Sequence, residues 1–391
     1  MQTTQFQFTA DSAWSSSLPC SLDGPQTLVL AFGPRSLIAQ PGALHQLAAA
    51  FPSSVLMGCS SAGAISSSEV NDSSVSVVLA RFDHTPLQRV STPLKGIHDS
   101  FDAGSRLAAQ LAPEGLRAVF ILCSGLAVNG SALVRGIAKG LPGNVKLSGG
   151  LAADGSLFER TWVLDGGEPQ ENVATAVGLY GDALLVGHGC SGGWTEFGPE
   201  RQVTQSEGNA LYALDGQPAL ALYKHYLGDL AAQLPSSALL FPLSLRAPTG
   251  NLGSAGNAGT VVRTILAVDE ARQAMVFAGD MPVGSTVRLM RTSVDSLVTS
   301  AEQAGQRAVQ LLGHPGGDGA AGVLALSVSC IGRRLVMGER TEDEAEAVVQ
   351  QLPQGAVHGG FYSYGEIATA NSANVAELHN QTMTLTVFSE S

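Results

Sequence analysis

GCSSAGAI (residues 58–65) and GFYSYGEI (residues 360–367) follow one pattern, G-x-x-S-x-G-x-I, although they lie near opposite ends of the chain. Each follows a short β-type segment, and SGGLAADG (residues 148–155) follows such a segment in the same way. Glycines end strands where the backbone needs a positive φ, which would explain any one of these turns. Three such turns indicate that the chain is built from one recurring unit.

An apolar run and then a helical stretch precede each glycine turn. The apolar runs are TLVLAF (27–32), AVFILC (118–123) and VLALSV (323–328). Continuous apolar strands joined by helices are typical of buried sheet strands with helical crossovers. Further β-rich stretches follow the turns and imply returning strands. We therefore predict an α/β (α+β) fold with mixed sheets and repeated strand, helix, strand and glycine-turn units.

Length and composition limit the class of protein. A chain of 391 residues predicts about two domains, with a border between about Tyr180 and Thr204, where GHGCSGGW (187–194) interrupts the β pattern. A net charge of −12 without a Lys/Arg cluster argues against nucleic acids and anionic membranes as partners. The sequence shows no secretory signal, no apolar run long enough to span a membrane, and no CxxC pair among its cysteines. We therefore expect a cytoplasmic protein with reduced thiols.

Helical patterns and loop signals punctuate the chain. The predicted helices cover residues 99–111, 216–234, 294–312 and 341–352. The last of them begins with Thr341 and has Glu344 three positions later, which predicts a capping box. The small, glycine-rich stretch 247–259 predicts a mobile loop, and a loop ordered by a ligand is the alternative.

Several segments, in order along the chain, resemble the FIST family of two-part sensory proteins. In the first half they are residues 58–63, 148–155 and 174–178. In the second half they are residues 214–220, 279–285, 330–333, 360–367 and 378–382. Together they cover roughly residues 25 to 388.

The resemblance implies an N-terminal FIST part at 25–200, a C-terminal FIST part at 201–388, and ligand sensing in bacterial signal transduction rather than catalysis. Output would pass through a separate signalling protein, such as a histidine kinase or a cyclic-di-GMP enzyme. A stand-alone chain is also similar to the NosP-type haemoproteins that sense nitric oxide, and this narrower resemblance implies haem b as cofactor. Sensing of amino acids or other small polar metabolites without haem is the alternative, and a homo-oligomer stays open.

The glycine turns suit a binding role, because exposed backbone N–H groups can receive an anion or a carbonyl group. Tyr362, Tyr364 and Glu366 alternate, so an extended backbone would place them on one face, suited to a polar or cationic ligand. In the alternative interpretation Tyr362 packs in the core and Glu366 is solvated or bonds a turn amide. The predicted ligand-binding residues are Gly58, Ser60, Ser61, Gly63, Gly150, Asp154, Gly360, Tyr362, Tyr364, Glu366, His379 and Asn380.

A haem iron would need an axial ligand, most often a histidine in a gas sensor. His188, between two glycines, and His358, beside the third glycine turn, are the candidate metal ligands. His379 belongs to the segment LHNQT (378–382), which resembles a general feature of the family. His188 and Cys190 offer two ligands to a non-haem metal, but no second pair follows at zinc spacing.

Catalytic signatures are weak in this sequence, which contains no HExxH or GxxxxGK[ST] motif and no true GxSxG nucleophile elbow between a strand and a helix. An unrecognised hydrolase that uses Cys59, Ser61 or Cys123 as its nucleophile is the remaining enzymatic alternative. Buried cysteine is the commoner role for such residues.

Overall fold

The computed structural model describes residues 1–9, 13–246, 260–313, 322–370 and 375–391. The predicted loop at 247–259 lies outside them. The α-helices are α1 (Gly42–Ala50), α2 (Ser100–Gln110), α3 (Gly130–Gly140), α4 (Ala219–Leu227), α5 (Val294–Leu312), α6 (Ile331–Met337) and α7 (Thr341–Val349). No helix in these ranges combines the length and apolar character needed to cross a membrane.

Strands make up most of the fold. Up to residue 191 they are β1 (Gln2–Phe8), β2 (Thr27–Gly33), β3 (Val55–Ser60), β4 (Ala64–Ser66), β5 (Glu69–Asn71), β6 (Val75–Arg81), β7 (Leu87–Pro93), β8 (Leu116–Cys123), β9 (Lys146–Leu151), β10 (Val163–Asp165), β11 (Glu168–Gln170), β12 (Val173–Tyr180) and β13 (Leu184–Ser191). Beyond it they are β14 (Thr195–Glu207), β15 (Ala210–Leu214), β16 (Gln217–Pro218), β17 (Leu243–Arg246), β18 (Val261–Arg263), β19 (Ile265–Asp269), β20 (Ala274–Phe277), β21 (Thr286–Arg291), β22 (Leu324–Cys330), β23 (Val357–Ser363), β24 (Gly365–Ala370), β25 (Val375–His379) and β26 (Met383–Glu390).

Three six-stranded sheets repeat one strand order. The first is β1-β6-β2-β3-β10-β11, the second β7-β12-β8-β9-β24-β25 and the third β13-β26-β22-β23-β4-β5. In each sheet the two central strands are parallel and joined by a helical crossover, whereas the flanking pairs are antiparallel. The mixed sheets and the recurring unit predicted from the glycine turns are confirmed.

The hairpin after each glycine turn leaves its own sheet and joins another. Hairpin β4–β5 follows β3 of the first sheet but pairs with β23 of the third. Hairpin β10–β11 follows β9 and pairs with β3 of the first sheet, and β24–β25 follows β23 and pairs with β9 of the second. The sheets form a closed ring of exchanged hairpins, and the two halves of the chain share the second and third sheets.

One apolar core lies between the inner faces of these sheets. Phe32 of β2 stacks on Phe361 of β23 with ring centroids 4.8 Å apart. Phe120 of β8 and Phe388 of β26 belong to the same buried cluster. Each of the three sheets therefore contributes large side chains to a shared core.

The strands of a fourth sheet are inserted in the sequence between β13 and α5, which belong to the same unit. The strand order of this sheet is β18-β17-β21-β14-β15-β20-β19, with β16 paired to β15. It has its own apolar cluster, which includes Leu211, Met275 and Phe277, and α4 packs against it through Ala219 and Tyr223. The predicted domain border at residue 200 falls inside β14.

The predicted helices at 99–111 and 294–312 appear as α2 and α5. The helix predicted at 216–234 is shorter and ends as α4 at Leu227, because Gly228 takes a positive φ of 57°.

The capping box predicted for α7 is wrong. Thr341 donates its hydroxyl to the carbonyl of Gly338, and Glu344 turns into the protein interior, where a buried arginine pairs with it.

Candidate functional site

The three glycine turns meet in the folded protein. Main-chain hydrogen bonds connect every pair of turns in a ring. They run from Ala153 N to Ser60 O (3.0 Å), from Tyr364 N to Leu151 O (3.2 Å), from Tyr362 N to Gly63 O (2.9 Å) and from Ala62 N to Tyr362 O (2.9 Å). The N–H groups in these bonds already have partners and offer nothing to a ligand.

Most of the glycines serve close packing between strands. A Cβ atom would lie 2.2 Å from Ala31 O at Gly58, 1.9 Å from Ile121 O at Gly149 and 1.9 Å from Ser327 O at Gly360. Each of these carbonyls belongs to the neighbouring parallel strand, so the unit needs a glycine at this register in all three sheets. Gly149, which the sequence argument passed over, is therefore the true equivalent of Gly58 and Gly360. At Gly150, in contrast, a Cβ atom would lie 2.7 Å from a side-chain methyl group of Val328.

The two serines of the first turn stabilise that turn. Ser60 Oγ accepts the backbone N–H of Trp162 at 3.1 Å, and Ser61 Oγ accepts that of Gly63 at 3.3 Å. Burial raises the pKa of the Cys59 and Cys123 thiols, so both stay protonated and weakly nucleophilic. These contacts pair none of the hydrolase candidates with a general base.

Tyr362, Tyr364 and Glu366 do not share one face, because the chain crosses from the third sheet to the second between β23 and β24. The hydroxyl of Tyr362 donates to Glu344 Oε1 at 2.6 Å, whereas that of Tyr364 donates to Asp154. Glu366 accepts hydrogen bonds from Ser363 Oγ (2.6 Å) and from the amide (3.1 Å) and hydroxyl (2.9 Å) of Thr382. All three side chains are buried, and none faces the solvent that a ligand would displace.

Tyr362 belongs to a buried ionic network. Glu344 and Arg333 form an ion pair with Nη2 and Oε2 at 2.7 Å, and both side chains are fully buried. The other guanidinium N–H groups donate to Ser300 Oγ (3.1 Å), Leu297 O (2.9 Å) and Gly192 O (2.6 Å). The network joins α5, α6, α7 and β23, so its role is to hold these elements together.

Asp154 anchors the loop that follows the second turn. Its carboxylate accepts the backbone N–H groups of Phe158 (3.1 Å), Glu159 (3.0 Å) and Arg160 (2.8 Å), besides the hydroxyl of Tyr364. The ring of Phe158 stacks on Tyr364 at 4.6 Å. The side chain of Asp154 has no exposed surface, so it shapes the loop and presents no free oxygen to a ligand.

The predicted haem ligands are both buried. His358 uses both ring nitrogens, with Nδ1 2.7 Å from Ser67 O and Nε2 2.8 Å from Ser327 Oγ. In His188, Nδ1 lies 3.0 Å from Thr386 Oγ1, which is within hydrogen-bonding distance, and Nε2 has no hydrogen-bond partner. Burial lowers the pKa of His188 to about 3 and that of His358 to about 4, so both are neutral near pH 7.

A haem would also need an opening for its macrocycle beside the axial nitrogen. His188 is 8% exposed and His358 is 2% exposed, and neither lines any of four clefts in the described residues. The surroundings of these two buried histidines do not fit haem. Among the described residues no group of three or more His, Cys, Asp or Glu side chains is arranged to hold a metal ion.

His379 and Asn380 are buried at the end of β25, next to the third glycine turn. The side-chain amide of Asn380 donates to Tyr364 O at 3.3 Å. Burial lowers the pKa of His379 to about 4, and its Nε2 has no hydrogen-bond partner. Both side chains are therefore part of the protein interior.

A cleft of about 550 Å³ opens beside the turns, within the range of roughly 300–1,000 Å³ usual for small-ligand sites. Its lining residues come from both halves of the chain: Asp72, Asp154, Gly155, Ser156 and Leu157 from the first, and Ile331, Arg334, Leu335, Gly338 and Thr341 from the second. Leu157 and Leu335 are two of the six large apolar side chains that are exposed in the described part of the chain. Of the predicted ligand-binding residues, only Asp154 lines this cleft.

Arg334 is the functional candidate that sequence reasoning missed. It donates to Ala62 O of the first turn and lies 5.6 Å from the ring centroid of Tyr362. Gly63 has φ +131°, and a Cβ there would lie 2.7 Å from Arg334 Nη1. The glycine is required so that the guanidinium group can reach the turn. The only available signal was its place directly after the segment 330–333, which resembles the family.

Glu366 should give the stability a pH dependence. Burial raises the pKa of its carboxyl group to about 8 from an ordinary value of 4.5, although bonds from Ser363 and Thr382 act in the opposite direction. Between these values the folded protein binds more protons than the unfolded chain, so the free energy of unfolding falls as pH rises, by at most about 1.4 kcal/mol per pH unit. Urea unfolding of wild type and Glu366→Gln from pH 5 to 8 measures this fall, which should be shallower in the variant.

The histidine contributions cancel in that comparison, since both proteins contain the same buried histidines. Parallel stability curves for the two proteins would contradict the shifted pKa of Glu366.

Comparison with known proteins identifies the family. The chain matches the FIST N domain model over residues 27–217 and the FIST C domain model over residues 219–369. No curated protein matches it. Among solved structures it is similar to the crystal structure of cyanuric acid hydrolase from A. caulinodans, at 11% identity and a TM-score of 0.39, covering 100% of this chain and 98% of that one. Since the two domain models together span most of its length, the chain belongs to the FIST family.

Proposed function

We propose that this protein senses a small organic ligand without haem, and that the ligand binds in the cleft lined by the FIST N and FIST C domains. The family is associated with small-ligand sensing in signal transduction. The observation that carries the proposal is that Leu157 and Leu335 are exposed and line the same cleft. Exposed apolar side chains in a concave site are what a partly apolar ligand would cover.

The response to the ligand is confined to the rim of the cleft. The two halves exchange hairpins, so they cannot shift as rigid bodies without breaking sheet pairing. The rim consists of the turn around Asp72, the loop at 155–160 and helix α6. A ligand that holds these three segments together would change the surface offered to a separate signalling protein, such as a histidine kinase or a cyclic-di-GMP enzyme.

Blocking the cleft tests this proposal. A library of amino acids, carboxylic acids, amides and amines is screened by thermal shift, because a ligand at one hundred times its Kd stabilises the folded state by about 2.7 kcal/mol. Leu335→Glu should abolish the shift caused by every ligand found. Leu311→Glu is the matched control: Leu311 is 60% exposed and does not line the cleft, so it should keep the shift.

A ligand that stabilises Leu335→Glu as strongly as wild type would place the site elsewhere. The absence of any stabilising ligand from the library would remove the basis of the proposal. Nitric oxide sensing through haem stays a prediction of the narrower resemblance, and the absorption spectrum after haem addition tests it.

A further inference from the structure

We infer that the ligand is an amphipathic carboxylate whose carboxylate group binds Arg334 in place of Asp72 while its apolar part contacts Leu157 and Leu335. This inference rests on the proposed ligand cleft and names the chemical class that the cleft takes. It differs from the polar or cationic ligand expected from Tyr362, Tyr364 and Glu366, all of which are buried away from the cleft.

The guanidinium group of Arg334 is held in a fixed position on its inner side. The carbonyl of Ala62 accepts from Nη1, the ring of Tyr362 lies beneath the guanidinium, and Gly63 leaves the space that the group occupies. The side chain is 22% exposed. A cation fixed by its inner contacts and open on the outer side is suited to bind an anion at little entropic cost.

Asp72 occupies that outer side as a carboxylate would. Its two oxygens lie 2.5 Å and 2.9 Å from Arg334 Nη1 and Nη2, which is the bidentate geometry of arginine with a carboxylate. Yet the side chain of Asp72 is 69% exposed, on the turn between β5 and β6 that Asn71 closes with its own side chain. An ion pair so exposed contributes little, so a ligand can displace it.

The rest of the cleft matches the remainder of such a ligand. Leu157 and Leu335 provide apolar contact, and the buried Ile331 also lines the cleft. Asp154 would repel an anion only if its charge were exposed, but three backbone N–H groups and the hydroxyl of Tyr364 surround its carboxylate. Within the cleft lining, Asp72 is then the one carboxylate that a ligand meets, and displacement moves it towards water.

Matched acids and amides test this class directly. The probes are 4-methylpentanoate, hexanoate and phenylacetate, each with its amide, and binding to the full chain is measured by calorimetry. A charge-assisted bidentate contact predicts that each acid binds about tenfold or more tightly than its amide. Asp72→Asn removes the competing carboxylate and should tighten the acids by about two- to fivefold without affecting the amides. Asp295→Asn is the control, since Asp295 is 84% exposed and pairs with Arg340 at 3.1 Å.

The outcomes separate this inference from the proposed function. Equal binding of acids and amides, lost in Leu335→Glu, would overturn the carboxylate class and leave the cleft as the ligand site. An unchanged or weaker affinity of the acids for Asp72→Asn would also overturn it, because Asp72 would then not compete. If no acid binds either wild type or Asp72→Asn, the inference is wrong.

Discussion

Residues 1–217, expressed alone, should not form a cooperatively folded protein, although they include the whole FIST N match. The fragment keeps hairpin β4–β5 but lacks β23, to which that hairpin pairs. It keeps β9 but lacks β24, so an edge of the second sheet is uncovered. It also lacks Phe361, on which Phe32 stacks in the shared core.

Near-UV circular dichroism, dye binding to apolar surface and urea unfolding measure this outcome. We expect no near-UV signal, strong dye binding and no cooperative transition for the isolated fragment, as for a collapsed chain without fixed packing. Co-expression with residues 218–391 is the control and should restore a folded complex. A sharp urea transition of residues 1–217 alone would show that the exchanged hairpins are dispensable.

Glu344→Gln should lower the free energy of unfolding by about 3–5 kcal/mol, because removing one partner of a buried ion pair leaves the other charge uncompensated. Arg333 and Glu344 have no exposed side-chain surface, so bulk water cannot reach Arg333 to replace the lost carboxylate. Asp343→Asn is the matched control one residue away. Asp343 pairs with Arg340 at the surface, and such a pair contributes about 1 kcal/mol or less.

Urea unfolding of both variants at one pH measures the difference. The double variant Arg333→Met, Glu344→Leu should recover only the part of the loss that the uncompensated charge causes. It leaves the hydroxyl of Tyr362 and the carbonyls of Leu297 and Gly192 without these partners. Similar destabilisation by Glu344→Gln and Asp343→Asn would show that burial does not set the strength of this pair.

The sequence allowed the repeating unit to be predicted because its signals are local. An apolar strand, a helical stretch and a glycine turn are each readable within a short window, and the register of Gly58 and Gly360 recurs in both best-matching turns. The exchange of hairpins was not predictable in this way. Ala64–Ser66 pairs with residues of β23 far along the chain. The periodicity within either segment does not indicate which strand it pairs with.

The errors at the site have the same origin. Thr341 and Glu344 satisfy a local capping rule, but Arg333 offers Glu344 a stronger, tertiary interaction. Gly149 and Gly150 are neighbours within β9, and the sequence alone does not show which of them lies against the carbonyl of Ile121 in β8. The role of Arg334 was not predicted, because an arginine outside any recognised motif is usually a solvated surface residue.

The exchanged hairpin β4–β5 also has a consequence for protein synthesis. Its strands leave the ribosome early, whereas β23 begins only at Val357. At about 5–20 residues per second, the nascent hairpin waits roughly 15–60 s for its partner. During that time its edge is open to other nascent chains, so we expect the yield of soluble protein to depend on chaperones that bind ribosome-attached chains.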